Sequence, residues 1–462
     1  MTKKRRGGPQ PELFPRSKMT RPIEIEPTHR LVQLTEKLDW TEMEIRAEKI
    51  RASKLKNAAG RPPQLRALLG AMVLRATRYM PYRVLEEQIR HYAPARYLCG
   101  LTECDWSPDH NTLHDFIELM GEEGVRLINE YVVKLAVEEK LADPSVVVGD
   151  TTAQEAAIPH PNEMGLMAAF VSTVVGASGR AGNVMKKFVA KAAGLIDAAK
   201  KKAREYRLFA KEQTKAGKNK MMAKMTSLIE QLNVGLGRAL KEKQPSLKKY
   251  GLVARATLEK VHDAMTKLTP QIRYWLKTGF VASGKVINLY IPELYSIVRG
   301  KVGKTVEFGL NWGIRRLRGG YLLATMATTK NELHDTRFAV SAVDEHITLF
   351  GKPPKAYAYD RGGWNDKNVA ALKNRGIKEV GLAPRGKAEW NVSGRTKEML
   401  ISERAQIEGG IGSIKHPKYG FNRPAARSVK MMGACGQLAV LGFNLNKVVR
   451  ELANRDEFQL VG

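Results

Sequence analysis

The residues that could do chemistry gather in the stretch Ile401–Tyr419, ISERAQIEGGIGSIKHPKY. On a helix turning about 100° per residue, Glu408 lies about 40° from Arg404, and Lys415 about 20° from Glu408. One acid and two cations then share a stripe, while Ile407, Ile411 and Ile414 fall largely on other faces and can hold the helix against a core. A carboxylate flanked by cations suits a site that holds a metal ion and a phosphodiester together. The plainer reading of the stripe is a solvated face of salt bridges. Gly409, Gly410 and Gly412 weigh against it. Each costs about 1 kcal/mol relative to Ala inside a helix, and glycine there often marks the close approach of another backbone or a ligand.

Two further acids bear on the choice. Ser145–Asp150 reads SVVVGD, the valines of a buried strand with Asp150 at its end. Lys355–Asp360 reads KAYAYD, a second strand ending in an acid. Gly362 and Gly363 then turn the chain into a helix over 365–374. An aspartate at a strand end can also simply open a turn. Taken together, two such aspartates and a helical glutamate form a hard oxygen set of the kind that binds Mg²⁺ or Mn²⁺. A pair of such ions can generate a nucleophile from water or a 3′-OH and stabilise the leaving oxygen. No Ser–His–Asp order and no cysteine nucleophile competes convincingly.

The rest of the chain must position these groups and meet a substrate. With 462 residues the expectation is two or three domains with real cores. The formal net charge of +30 points to a polyanionic partner, most plausibly nucleic acid. No apolar run reaches about 18 residues, so no membrane-spanning helix is expected. The basic start MTKKRRGGPQPELFPRSK lacks the apolar stretch of a secretory signal. Three cysteines make no disulfide framework, and a reducing cytoplasm is the expected compartment.

Residues 1–30 read as a basic, proline-containing disordered arm, and 31–142 as a helical domain of short helices punctuated by Gly60-Arg61-Pro62-Pro63 and capped again at Ser107-Pro108-Asp109. Arg75, Arg78, Arg83 and Arg90 are its candidate phosphate contacts, although packing explains any one of them equally well. Cys99, Cys104, His110 and His114 do not have zinc-finger spacing, because only five residues separate the second Cys from the first His. A lysine-rich helical insertion occupies 180–279, with Met221, Met222 and Met225 on a stripe read as core. Strands resume at Val286–Ile291, and a hairpin turns at Arg318-Gly319-Gly320. Gly300–Lys304, GKVGK, lacks P-loop spacing and reads as a basic turn. A helix over 331–349, the acid-bearing strand to Asp360, a strand over 377–382 and a final helix over 429–450 complete an α/β unit over 143–179 and 280–450. Arg361 and Arg423 extend the basic track beside the acids, and Arg385 and Lys387 lie on the connector before the last helices.

These motifs resemble the bacterial insertion-sequence transposases of the DDE type, in the group with a Tyr-Arg-Glu-Lys signature. Gly60-Arg-Pro-Pro63, Val84-Leu-Glu-Glu87 and Ser107–Thr112 resemble the family's N-terminal helical domain. Val148-Gly-Asp150-Thr is similar to its first-acid strand, Gly300–Gly309 to the segment before its hairpin, and Tyr359-Asp360-Arg-Gly362 to its second-acid motif. Arg404-x3-Glu408-x6-Lys415 matches most of its signature, whose tyrosine would fall at Ile401. The resemblance spans about residues 60–445. It implies an RNase H-like catalytic domain, a mixed sheet flanked by helices, preceded by a helical domain that binds terminal inverted repeats. It implies Asp150, Asp360 and Glu408 as the Mg²⁺-binding catalytic triad, with Mn²⁺ as a substitute, and Arg404, Lys415, Arg361 and Arg423 on DNA. It further implies cleavage at transposon ends, joining of the 3′-OH to target DNA, a homodimeric synaptic complex, and a place at the bacterial nucleoid. The alternatives are a metal-dependent nuclease without strand transfer and a non-catalytic DNA-binding protein.

Overall fold

The computed structural model describes residues 25–55, 64–243, 246–301, 304–327, 334–384, 390 and 392–461. Most of the expected basic arm, Gly60–Pro63, the centre of the GKVGK turn, and Arg385 and Lys387 lie outside the described residues. The amino-terminal block holds α1 (Arg30–Lys37), α2 (Trp40–Lys54), α3 (Leu65–Thr77), α4 (Tyr82–His91), α5 (Ala93–Leu98) and the long α6 (His110–Glu138), which kinks at Gly121. Asp39 caps α2 by accepting from the Glu42 N–H at 3.1 Å, and Asp109 caps α6 by accepting from Asn111 and Thr112 at 2.9 and 2.8 Å. Aspartate belongs at these positions because its carboxylate satisfies N–H groups the first turn leaves unpaired.

A six-stranded mixed sheet follows: β1 (Asp143–Glu155), β2 (Tyr295–Lys301), β3 (Lys304–Arg318), β4 (Leu322–Met326), β5 (Ala356–Tyr359) and β6 (Glu379–Leu382). The order is β2-β3-β1-β5-β6, with β4 also on β3. β3 runs antiparallel to β1, β2 and β4, whereas β5 and β6 run parallel to β1. The β3–β4 hairpin turns through Gly319 and Gly320, both at positive φ (95° and 91°), as the Arg-Gly-Gly sequence requires.

Strand alternation divides the sheet into two faces. Val146 and Val148 of β1, Ile314 of β3, and Ala356 and Ala358 of β5 face Leu400, Ile407, Ile411 and Ile414 of α14 (Gly394–Ile414). Val147, Tyr357 and Tyr359 point the other way, onto Phe338, Ala339, Ala342 and Val343 of α12 (Asp335–Phe350) and Leu372 of α13 (Asp366–Asn374). The last helix, α15 (Val429–Val461), joins the sheet to the amino-terminal block. Its Asn444 amide donates to Asn129 of α6 and to the Leu322 carbonyl, both at 2.7 Å, and all of these groups are buried.

Between β1 and β2 lies a helical block: α7 (Glu163–Ser178), α8 (Asn183–Lys191), α9 (Ala193–Phe209), α10 (Lys215–Lys241) and α11 (Lys249–Thr278). These helices share one core, in which Met164, Met167 and Phe170 of α7 meet Met222, Met225 and Ile229 of α10. The lysine-rich insert is therefore packed together with α7, and Met222 and Met225 are core, whereas Met221 is only partly buried. The strand expected over Val286–Ile291 does not form, and β2 begins at Tyr295. Asn288 Oδ1 accepts from the N–H groups of both Tyr290 and Ile291 at 2.8 Å, which bends the segment away from any ladder. Its apolar residues are still buried, Val286 and Leu289 in the helical block and Ile287 and Ile291 against Leu310 and Met432. Burial without pairing is what their composition could not distinguish from a strand. Among the described residues, no helix is long and apolar enough to cross a membrane.

Candidate acidic site at the end of strand five

Asp150 does not end its strand. β1 continues to Glu155, paired throughout with β3, Asp150 opposite Ile314. What ends is the neighbouring strand. The parallel pairing of β1 with β5 sets Val146 against Ala356 and Val148 against Ala358. The pairing ends there: Asp150 lies two residues further along β1, and Asp360 is the first residue after β5. Asp150 has the parity of Val148, whose side of the sheet is covered by α14, and Asp360 feels the charge of Arg404 on that helix. β3 pairs with β1 past this point while β5 stops at Tyr359, which leaves a notch with Asp150 on one side and Asp360 on the other.

Asp360 is half-buried and caps a 3-10 turn over Arg361–Gly363, accepting from the Gly362 N–H at 2.8 Å. Loss of hydration raises its proton affinity above the usual carboxylate range. Asp335 adds to the rise, while the Gly362 and Gly363 N–H groups and Arg404 oppose it. Arg404 is thereby within electrostatic reach of Asp360. Glu408 lies one turn further along α14 and is exposed, and its neighbours Ile407 and Ile411 anchor that turn on the core beneath β1 and β5. Lys415 is the C-cap of α14, whose last helical residue is Ile414, and His416-Pro417 follows. Pro disfavours helix in the residue before it, so the helix stops short of the expected 419. Lys415 therefore sits about 10 Å along the axis from Glu408.

Arg361 is exposed at the turn beside Asp360. Arg423 is not brought to the acids. Its N–H donates to the Glu155 carbonyl at 2.8 Å and its Nε lies 3.8 Å from the Glu155 carboxylate, five residues and about 17 Å along β1 from Asp150. Among the described residues no other backbone approaches the glycines of α14. A side chain at Gly409 or Gly412 would meet open space, and only Gly410 packs, against Leu322.

The carboxylate that sequence reasoning missed is Asp335. On the first turn of α12, its Oδ1 accepts from Thr151 Oγ1 at 2.8 Å and from Tyr359 Oη at 3.3 Å. Those donors are the residues adjacent to Asp150 and Asp360. A Cβ on Gly362 would fall 2.8 Å from Asp335 Oδ2 and 2.9 Å from Asp360 Oδ1. The two acids therefore flank Gly362 closely, and a side chain there would have to push their carboxylates aside. In the sequence Asp335 looks like an ordinary first-turn helix acid.

The donor set suits a divalent cation. It consists of carboxylate oxygens, and Asp335 and Asp360 hold negative charge close together in a partly dehydrated notch, where a cation would relieve the repulsion. The ligand atoms of Asp150, Asp360 and Glu408 do not all fall within 4.8 Å of one another. Among the described residues, the group that does is His114, Asp115 and Glu118 on α6. Of the residues weighed for zinc, Cys99 is buried, with its thiol pushed up to about 12 by loss of hydration, and His110 Nδ1 is 2.8 Å from Glu86 Oε2.

Comparison with known proteins adds an independent observation on the other half of the molecule. No protein of curated function and no solved structure matches the chain. Residues 22–119, which contain α1 to α5 and the first third of α6, match the family described as Transposase domain (DUF772).

Proposed function

We propose that this protein is a DNA transposase of an insertion sequence, of the DDE type, with Asp150, Asp360 and Glu408 as its acids. The observation that carries the reading is the placement of Asp150 and Asp360 just beyond the end of the β1–β5 pairing, next to the helix bearing Arg404 and Glu408. The transposase-domain match over residues 22–119 supports it from sequence outside that site. The sheet, an antiparallel hairpin on β1 followed by two parallel strands, supports an RNase H-like catalytic domain.

Asp150, Asp360 and Glu408 would hold Mg²⁺, or Mn²⁺ in its place. When bound, the ions supply a nucleophilic oxygen and offset charge on the leaving 3′-oxygen. The chain's own groups do the rest. Asp335 keeps Thr151 and Tyr359 fixed, and with them the spacing of the acids. Arg404 holds the scissile phosphate by charge and hydrogen bonding, and Lys415 and Arg361 hold the flanking phosphates. The amino-terminal helices bind the terminal inverted repeat, and two chains act on two DNA ends. The excess of Lys and Arg over acids favours a nucleic-acid substrate.

The test uses a labelled DNA carrying the element's end and flank, with Mg²⁺, and compares the wild type with Glu408→Gln. A nick at the end that needs both the metal and Glu408 is expected. Pre-cleaved ends should then join to a target plasmid, an outcome a simple nuclease would not give. Tight binding without cleavage by the wild-type protein, on single or paired ends, would overturn the catalytic reading in favour of a DNA-binding protein.

A further inference from the structure

Two adjoining grooves lie at the seam between the amino-terminal helices and the loop after α14. The larger, about 850 Å³, runs between the start of α1, the α3–α4 turn and His416 and Lys418. The smaller, about 440 Å³, continues it along α15 past Tyr419 and Arg450. Arg30 and Lys418 line both, Arg78 lines the first, and neither has an acid in its lining. None of Arg30, Arg78 and Lys418 makes an ion pair among the described residues. The basicity of Lys418 is lowered by loss of hydration and then by Arg30 and Arg78. That of Arg30 is lowered by loss of hydration, with Arg450 adding to the fall against the opposing pull of Tyr419. Cations gathered without a counter-charge repel one another until an anion arrives.

The seam is built rather than incidental. Tyr79 N–H donates to the Lys418 carbonyl at 2.7 Å, and the Ala425 N–H donates to Tyr79 Oη at 3.3 Å. The Tyr79 ring lies over Gly420, where a Cβ would come within 2.4 Å of it. Tyr92, held by His29 Nε2 at 2.9 Å, lines the same groove and is 41% exposed. Clustered cations beside an exposed ring form the kind of surface that binds unpaired nucleotides, phosphates to the charges and a base to the ring. Lys418 follows the end of α14 by four residues, and the helix rises about 9 Å from Glu408 to Ile414.

We propose that this seam is a binding groove for one strand of nucleic acid, with phosphates on Arg30, Arg78 and Lys418 and a base against Tyr92. It rests on the transposase reading for the identity of the strand, the one leaving the cleavage site, but not for the binding itself. The full chain is titrated with a fluorescent twelve-residue oligothymidylate in EDTA, so that cleavage plays no part. Anisotropy is followed across a salt series for the wild type, Arg78→Gln with Lys418→Gln, Arg78→Lys with Lys418→Arg, and Tyr92→Ala, each checked for fold by circular dichroism. The Gln pair is expected to weaken binding about tenfold and to reduce the slope of log K against log salt by about 0.7 for each cation lost. The charge-keeping pair should retain the slope. Tyr92→Ala should weaken binding by about fivefold or more. An unchanged slope and affinity in the folded Gln pair would overturn the groove. So would equal losses for a hairpin duplex, or losses confined to phosphatidylserine vesicles. Strand binding that behaves as described in a protein that never cleaves DNA would leave the groove standing and the transposase reading refuted.

Discussion

Glu403 ties α14 to the sheet five residues before Glu408, and its removal gives a test of how the acidic helix is held. The residue is 9% exposed. Its Oε2 meets Arg316 Nη1, and its Oε1 accepts from Arg318 Nε at 3.1 Å. Arg316 is 5% exposed, pairs across the sheet with Val148, two residues from Asp150, and sends its other arm to Gln406 Oε1. The Arg318 side chain is 38% exposed, so solvent screens that half of the contact and it contributes little. Glu403→Ala would leave the Arg316 guanidinium in a dry site with one neutral acceptor. Removing one partner of a buried pair costs about 3–5 kcal/mol, against about 0.2–1 kcal/mol for an exposed pair. In a fold worth about 5–15 kcal/mol the buried figure is a large fraction. Urea unfolding followed by tryptophan fluorescence should show a lower midpoint with unchanged slope. Replacing both charges, Arg316→Met with Glu403→Leu, should recover most of the loss, because the destabilisation comes from the orphaned cation and not from the absence of a salt bridge. A loss below about 1 kcal/mol for Glu403→Ala, or a double variant no better than the single one, would refute the reasoning. It would leave the packing of Ile407 and Ile411 as what holds the helix.

Three further outcomes are expected. Asp335→Asn should stabilise the metal-free protein at neutral pH by about 0.5–2 kcal/mol while reducing Mg²⁺-dependent cleavage, because it removes a like charge beside Asp360. The raised proton affinity of Asp360 means that its contribution is fully present below the unfolded carboxylate range and is lost as pH rises through the raised value. Melting curves at pH 4 and pH 8 should therefore show the gain mainly at pH 8, and an equal gain at both would remove the electrostatic cause. His346, buried against Phe350 with ring centroids 4.7 Å apart, is depressed to about 4 by loss of hydration and by Arg315. Its folded value lies below the unfolded value of about 6.5, so stability is lost as pH falls from about 6.5 toward 4, by about 2 kcal/mol at pH 5. His346→Leu should flatten that part of the stability profile, and a profile as steep as the wild type would exclude His346 as its source. Gly442→Ala would place a Cβ 1.8 Å from the Ala76 carbonyl, where α15 crosses α3, and should cost about 1–3 kcal/mol in thermal unfolding.

What was legible in the sequence was local, and what was not depended on pairing. The valines before Asp150, the Asp109 cap, the Arg-Gly-Gly turn and the isoleucine face of α14 each announce themselves within a few residues, and each forms as expected. Asp150 is identifiable from sequence as an acid on a buried strand, but nothing nearby in sequence shows that the strand runs on past it to Glu155. The notch at Asp150 is made by the end of β5, two hundred residues away, and not by the end of its own strand. Asp335 was invisible for the same reason. Its partners, Thr151 and Tyr359, are 184 and 24 residues distant, and a first-turn aspartate looks alike whether it faces water or a neighbouring acid. Arg423 reads as part of one basic track with Lys415, yet the chain reverses after α14 and carries it to the far end of β1. Even Val286–Ile291, strand-like in every residue but Asn288, was decided by what lay on either side of it. Side-chain type thus identifies which groups could do chemistry, but the distances between them come from strand register. That is why the one-residue precision of the Val148–Ala358 pairing matters more to this site than any motif. A slip of one residue would turn Asp150 or Asp360 to the opposite face of the sheet.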